Sequence, residues 1–178
     1  MRTKVVLDLE ELAVERGVMR YGIFSDVHGN IEALDVVVDY LQAEKVDRYA
    51  FLGDAVGYGA NPDEVCTKIR SLDPIAVVGN HDAAVADRMS YEDYYDAARQ
   101  ALNWCKERMS PENLEWLGQM PFKVREGDVE FCHGAPVVPE AFDYLFSADQ
   151  AMGVLRGGFS GLAPVTFIGH SHLTISFR

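Results

Sequence analysis

All five histidines of this 178-residue chain fall in four short motifs: Ser25-Asp26-Val27-His28, Gly79-Asn80-His81-Asp82, Cys132-His133-Gly134 and Gly169-His170-Ser171-His172. Neutral imidazole and carboxylate are ligands for Mn, Fe and Zn, so this concentration points to a single metal site. Asp26 and His28 are two residues apart, as are His170 and His172. In an extended backbone that spacing turns both side chains to one side and lets each pair chelate, while Val27 and Ser171 point away. Cys132, adjacent to His133, then faces the other side and stays out of the coordination sphere. Asp54 follows the apolar run Phe51-Leu52-Gly53 and stands where a carboxylate can bridge two ions, and Asn80 offers a neutral amide oxygen. Two ions about 4 Å apart on O and N ligands form the clamp used for phosphoryl chemistry.

The elements that must carry these residues are short strands alternating with helices, the pattern of an α/β sandwich with much parallel pairing. Brief β-branched or aromatic runs at Tyr21–Ser25, Arg48–Leu52, Ile75–Val78, Val129–Cys132 and Val165–Ile168 each stop where a polar motif begins. Every candidate ligand therefore lies at a strand's C-terminal end, where open α/β sheets bind ligands. Asn30 can cap a helix running to about Ala43, and Asn61-Pro62-Asp63-Glu64 reads as a second helix start. Phe122–Arg125 and Val129–Cys132 read as a hairpin around Glu126-Gly127-Asp128. From Tyr91 to Leu117 the pattern is helical, broken at Ser110-Pro111-Glu112. Its stripe of Tyr91, Tyr94, Tyr95, Ala98, Leu102 and Cys105 reads as core, as do Trp104 and Trp116.

Composition narrows the function classes. With 48% apolar residues the chain can bury one full core, and one domain is expected. Acidic residues outnumber basic ones 28 to 16, a net charge of −12, which opposes binding of an extended nucleic-acid duplex. No apolar run approaches the roughly 18 residues of a membrane span, and Asp8, Glu10, Glu11 and Glu15 occupy the N-terminal stretch, so a cytoplasmic protein without membrane contact is expected. Cys66, Cys105 and Cys132 are odd in number and form no CxxC pair, which favours buried, reduced thiols.

Taken in order, Asp26-x-His28, Gly53-Asp54-(x)4-Gly59, Gly79-Asn80-His81-Asp82, His133 and Gly169-His170-x-His172 resemble the five motifs of the calcineurin-like metallophosphoesterases. The spacing is regular, with positions 29–52 (24 residues) before Gly53 and positions 55–78 (24 residues) before Gly79. His133-Gly134-Ala135-Pro136, followed by Tyr144-Leu145, further resembles small bacterial members. The resemblance implies an αββα sandwich of two mixed sheets flanked by helices. It also implies one divalent ion on Asp26, His28, Asp54 and His172, and a second on Asp54, Asn80, His133 and His170. Mn is the favoured metal, with Fe, Zn, Ni or Co as alternatives. A hydroxide bridging the ions would attack phosphorus in line, with His81 protonating the leaving oxygen or holding the phosphoryl group.

The chain departs from this pattern in three places. Gly57 stands where related phosphoprotein phosphatases and diadenosine tetraphosphatases carry the acid that orients the catalytic histidine, leaving Asp82 as the candidate orienting group. Tyr58 stands where they carry a phosphate-gripping arginine, which shifts the expected substrate from monoesters toward small phosphodiesters. Tyr58 and Asn80 are the candidate substrate contacts. Residues 1–18 are expected to be an accessory segment, either a short amphipathic helix ending near Gly17 or the product of an upstream start, preceding a phosphoesterase domain over 19–178. Only six residues follow His172, so the second sheet is expected to lack its last strands and to offer an edge for homo-oligomer pairing. Phosphomonoesters, phosphoproteins and dinucleoside polyphosphates remain alternative substrates, and a non-catalytic protein-binding scaffold on the same fold is the alternative of another class.

Overall fold

The apolar runs form two small sheets. In the first, β1 (Tyr21–Phe24), β2 (Arg48–Phe51) and β3 (Ile75–Ala76) pair in that order, all parallel. Parallel neighbours need crossover connections, which α1 (Ile31–Ala43) and α2 (Pro62–Ser71) provide. In the second, β4 (Lys123–Glu126) and β5 (Val129–Cys132) form the expected antiparallel hairpin, and β6 (Val165–Ile168) runs parallel to β5. Helices α3 (Asn80–Val85), α4 (Asp96–Lys106), α5 (Pro111–Gln119) and α6 (Ala148–Arg156) complete the elements among the described residues, with one 3-10 turn at Pro139–Ala141. The computed structural model describes residues 19–157 and 161–177, so the expected accessory segment of residues 1–18 lies outside the described residues. Two sheets flanked by helices match the expected sandwich, although only the second sheet is mixed.

Strand alternation divides the core. Phe24 and Phe51 face the helices with Leu34, Val65, Ile69, Leu102 and Leu117, whereas Ala50, Leu52 and Val77 face Phe131 of the second sheet. Asn30 caps α1 as expected, its Oδ1 accepting the Ala33 N–H at 2.9 Å. Asn61 precedes α2 but makes no capping hydrogen bond. Instead the first-turn Asp63 accepts from Ser110 N, Ser110 Oγ and Asn113 Nδ2 at 2.7–2.8 Å, pinning α5 to α2.

The tyrosine stripe needs correction. Helix α4 starts only at Asp96, so Ala98, Leu102 and Cys105 are helical core as expected while Tyr91, Tyr94 and Tyr95 lie in the preceding turns; Tyr91 and Tyr94 still pack against the core, and Tyr95 is exposed. Phenol hydroxyls favour polar partners, and those of Tyr94 and Tyr95 find them at the strand ends. Trp104 is also not core: it is 36% exposed beneath the Arg108 guanidinium. Trp116 does join the core, stacked on Phe51 with ring centroids 6.4 Å apart. Cys66, Cys105 and Cys132 are buried and unpaired by disulfide, and among the described residues no helix is long and apolar enough to cross a membrane.

Phe51 is fully buried between Phe24 and Trp116. Phe51→Ala should lower the unfolding free energy by about 3–5 kcal/mol in a urea titration. A loss below about 1 kcal/mol would mean that this layer re-collapses freely and does not organise the core.

Candidate metal centre

Beyond the strands the first two loops continue to bond side by side: Asp26 N–H to Gly53 O (2.9 Å), His28 N–H to Asp54 O (3.0 Å) and Gly29 N–H to Ala55 O (2.8 Å). These loops are not extended, which corrects the geometric premise for the paired ligands. Asp26, His28, Asp54, Tyr58, His170 and His172 all have φ between 48° and 65°, the left-handed region that L-residues occupy at a cost. Asp26 and His28 still converge, meeting His172, but His170 turns to a different group. The structure gathers Asp26, His28 and His172 in one cluster and Asp54, His133 and His170 in another, with His28, Asp54 and His81 between them; within each, the ligand atoms lie within 4.8 Å of one another.

Asp54 sits at the centre, buried. Its Oδ1 accepts the His81 backbone N–H at 2.9 Å, and its Oδ2 lies 3.4 Å from His133 Nε2 and 3.7 Å from His28 Nε2. A Cβ on Gly79 would come within 2.1 Å of that Oδ1, so only glycine admits the approach.

Backbone carbonyls fix the imidazoles. His28 Nδ1 donates to Val56 O at 2.9 Å and His133 Nδ1 to Leu52 O at 2.7 Å. In the neutral tautomer each Nε2 then carries a lone pair, and these point at other acceptors: His28 at His172 Nε2 (3.3 Å), His133 at Asn80 Oδ1 (3.2 Å) and at Asp54. Asp26 Oδ2 accepts the His170 N–H at 3.1 Å, while its buried Oδ1 makes no hydrogen bond and lies 3.2 Å from His172 Nε2. Lone pairs facing lone pairs are relieved only by a proton or a cation, so the donor set fits divalent transition ions. Titration follows the same logic. Burial opposes charge on His133, but Asp54 prevails and raises its pKa to about 9. Burial and then the neighbouring His133 charge lower His170 to about 4.

Asp82 does not reach the His81 ring, contrary to the orienting role expected for it. Its carboxylate accepts four backbone N–H groups, those of Asp54 (2.7 Å), Ala55 (2.9 Å), Val56 (3.3 Å) and Gly79 (3.1 Å), and so clamps the two loops that present Asp54 and Asn80. Burial and the adjacent Asp54 charge push its pKa up to about 7 while the N–H donors pull the other way. His81 Nδ1 is buried without a partner, and Gly57 explains why: at φ 91°, a Cβ there would lie 2.3 Å from that nitrogen. Cys132 is a spectator as expected, its thiol donating to Gly134 O and raised by burial to about 12.

Sequence reasoning named Tyr58 but missed the rest of the aromatic surround. The Tyr94 hydroxyl accepts from Asn80 Nδ2 at 2.8 Å, which turns Asn80 Oδ1 toward His133. Tyr95 donates to the Tyr58 hydroxyl at 2.9 Å, and the Tyr58 ring packs edge-on to His28 and against His81. Tyr144 stacks on His170 with centroids 3.7 Å apart. The available signal was three tyrosines in five residues, 11–15 positions after Asn80. A cavity of about 260 Å³ opens over the cluster, walled by His28, Asp54, Tyr58, Asn80, His81 and Tyr144 among others; among the described residues no lysine or arginine lines it.

Comparison with known proteins gives a consistent picture. Residues 19–174 match the model of the calcineurin-like phosphoesterase family. An uncharacterized protein of Methanocaldococcus jannaschii is 36% identical over 155 residues, which are 85% of this chain and 61% of that protein. The crystal structure of a metallophosphoesterase from Sphaerobacter thermophilus is 36% identical with a TM-score of 0.73, covering 87% of this chain and 61% of its own. A hypothetical protein from Pyrococcus horikoshii shares the fold at 19% identity and a TM-score of 0.67, covering 82% of this chain and 67% of that one. The chain thus spans 61% of the length of the first two.

The Asp82 clamp yields a test. Asp82→Ala strands four N–H donors, three of them on the Asp54 loop, and should cost about 3 kcal/mol or more in a denaturant titration. It should also lower metal uptake by dialysed protein, since Asp54 loses its fixed backbone. Native-like stability would show that the loops hold without the clamp.

Proposed function

The chain belongs to the calcineurin-like phosphoesterase family, and from that premise we propose that it is a dinuclear metal-dependent phosphodiesterase. The observation that carries this reading is Asp54, a buried carboxylate set between two ligand clusters. One ion would be held by Asp26, His28, Asp54 and His172, the other by Asp54, Asn80, His133 and His170. This set is too rich in nitrogen for a pure Mg²⁺ site, and Mn²⁺ is the proposed ion, with Fe, Zn, Ni or Co as alternatives. Such cations, when bound, supply the charge that makes water a nucleophile at neutral pH and neutralises phosphoryl oxygens.

The chain's own residues do the rest. His81 is the one histidine left outside the two ligand sets, and its ring lies against His28 and Tyr58 at the cavity wall. Burial holds its pKa below the usual value despite the pull of Asp54, which makes its protonated ring a readier donor to the leaving oxygen. Asp82 keeps the Asp54 and Asn80 loops in register, and Tyr94 orients the Asn80 amide. With no lysine or arginine in the cavity wall among the described residues, none of them answers the second negative charge of a monoester dianion. A diester, with that charge masked, suits the site better.

Hydrolysis of an aryl phosphodiester should require Mn²⁺ or a similar ion and vanish with chelator; full activity in metal-stripped protein would overturn the proposal. His81→Ala should keep two metal equivalents and lose roughly 10²–10⁴ in rate. If that variant instead lost an equivalent of metal, His81 would be a ligand and not the acid.

Substrate choice is tested at Tyr58, half exposed beside the cluster. Tyr58→Arg would add a permanently charged fork and should raise kcat/KM for an aryl monoester relative to the matching diester by about tenfold or more. An unchanged ratio at intact metal content would remove this position from the account.

A further inference from the structure

The segment after His133 carries a feature that the hydrolytic chemistry does not use. Tyr144 lies 16° from parallel with His170, and Phe146 lies 12° from parallel with Tyr144 at a centroid distance of 4.9 Å. Both rings line the cavity, yet each is 49% exposed. Leu145 between them is buried and anchors the segment, and the Phe146 N–H donates to Gln150 Oε1 at 2.7 Å in the first turn of α6. The rings are therefore held in place before anything binds. Exposed aromatic surface so fixed loses hydration free energy unless a ligand covers it.

We propose that Phe146, backed by Tyr144, forms a stacking shelf for a planar ring, a nucleobase or comparable aryl group, on the phosphodiester that this site cleaves. The inference rests on the phosphodiesterase reading and adds the substrate class. At about 260 Å³ the cavity falls below the ~300–1,000 Å³ of ordinary ligand pockets, so a phosphoryl group over the cluster leaves its organic substituent at the rim. At that rim stand Tyr144 and Phe146, with Tyr58 also half exposed. The lack of lysine and arginine there among the described residues disfavours a polyphosphate tail and suits an uncharged ring. Aromatic faces hold any base, so the shelf selects planarity and not sequence.

Two measurements separate this proposal from the reading beneath it. Thymidine 5′-(p-nitrophenyl phosphate) and methyl p-nitrophenyl phosphate share a leaving group and differ in the planar ring. With Mn²⁺, native protein should favour the nucleoside ester in kcat/KM by about tenfold or more, and Phe146→Ala should bring the ratio toward one, with Phe146→Leu close behind because it restores bulk without a π face. Equal rates on both esters, or a ratio untouched by Phe146→Ala, would overturn the shelf and leave the phosphodiesterase reading intact. If neither ester is cleaved, that reading fails, and calorimetry decides the shelf alone. Methyl thymidine 5′-phosphate should then bind the Mn²⁺-loaded protein about tenfold more tightly than dimethyl phosphate, and equal affinities would overturn it.

Discussion

A carboxylate buried at the meeting point of two sheets must be neutralised, and the centre of this molecule is organised around that requirement. An uncompensated charge in the interior costs several kcal/mol. Asp54 answers with one oxygen on a helix N–H and the other toward His133 and His28. Those imidazoles are held by carbonyls of the first sheet's loops, Leu52 O and Val56 O, so the same contacts that set their tautomers also join the sheets: His133 comes from the end of β5 and docks on the end of β2. Gly169 N–H to His133 O extends the β5–β6 pairing, and His170 N–H to Asp26 Oδ2 completes the seam. The protein's fold and its candidate chemistry meet in one set of bonds.

The seam is strained by construction. Six site residues occupy left-handed backbone, at about 1–3 kcal/mol each. What compensates is a dense set of backbone bonds between the first two loops and the Asp82 carboxylate beneath them, which takes up N–H groups that neither sheet can satisfy. Helix α3 is buried along its whole length, polar residues included, because each polar side chain of Asn80, His81 and Asp82 faces the loops that it serves. Close approach is bought with glycine at positions 57 and 79, where a methyl group would collide with His81 and with Asp54.

Much of this arrangement was legible in the sequence because strand ends are local events. β-branched runs that stop at Gly, Asp or His located β5 and β6 to the residue and the others within one or two positions, and with them every histidine. The family resemblance divided the ligands into two sets, whereas the structure shows three overlapping groups: Asp26 with His28 and His172, Asp54 with His133 and His170, and His28 with Asp54 and His81. The chain's local pattern was silent on what depends on distant partners. Helical spacing placed Tyr91, Tyr94 and Tyr95 in a core stripe, yet two of their hydroxyls answer Asn80 and Tyr58 across the fold. An i, i+2 spacing implied extended ligand pairs, but left-handed loops part His170 from His172. Adjacency made Asp82 a partner for the His81 ring, whereas neighbours on a helix point in different directions and Asp82 turns to the loops instead.

If the proposed function holds, Asp54 would be shared by two metal ions. Electron paramagnetic resonance of the protein loaded with two equivalents of Mn²⁺ reads this directly, because a bridging carboxylate couples the two spins. The account predicts the spectrum of an exchange-coupled pair, reverting to isolated ions in Asp54→Asn. Two magnetically independent Mn²⁺ signals in the native protein, or saturation at a single equivalent, would contradict it.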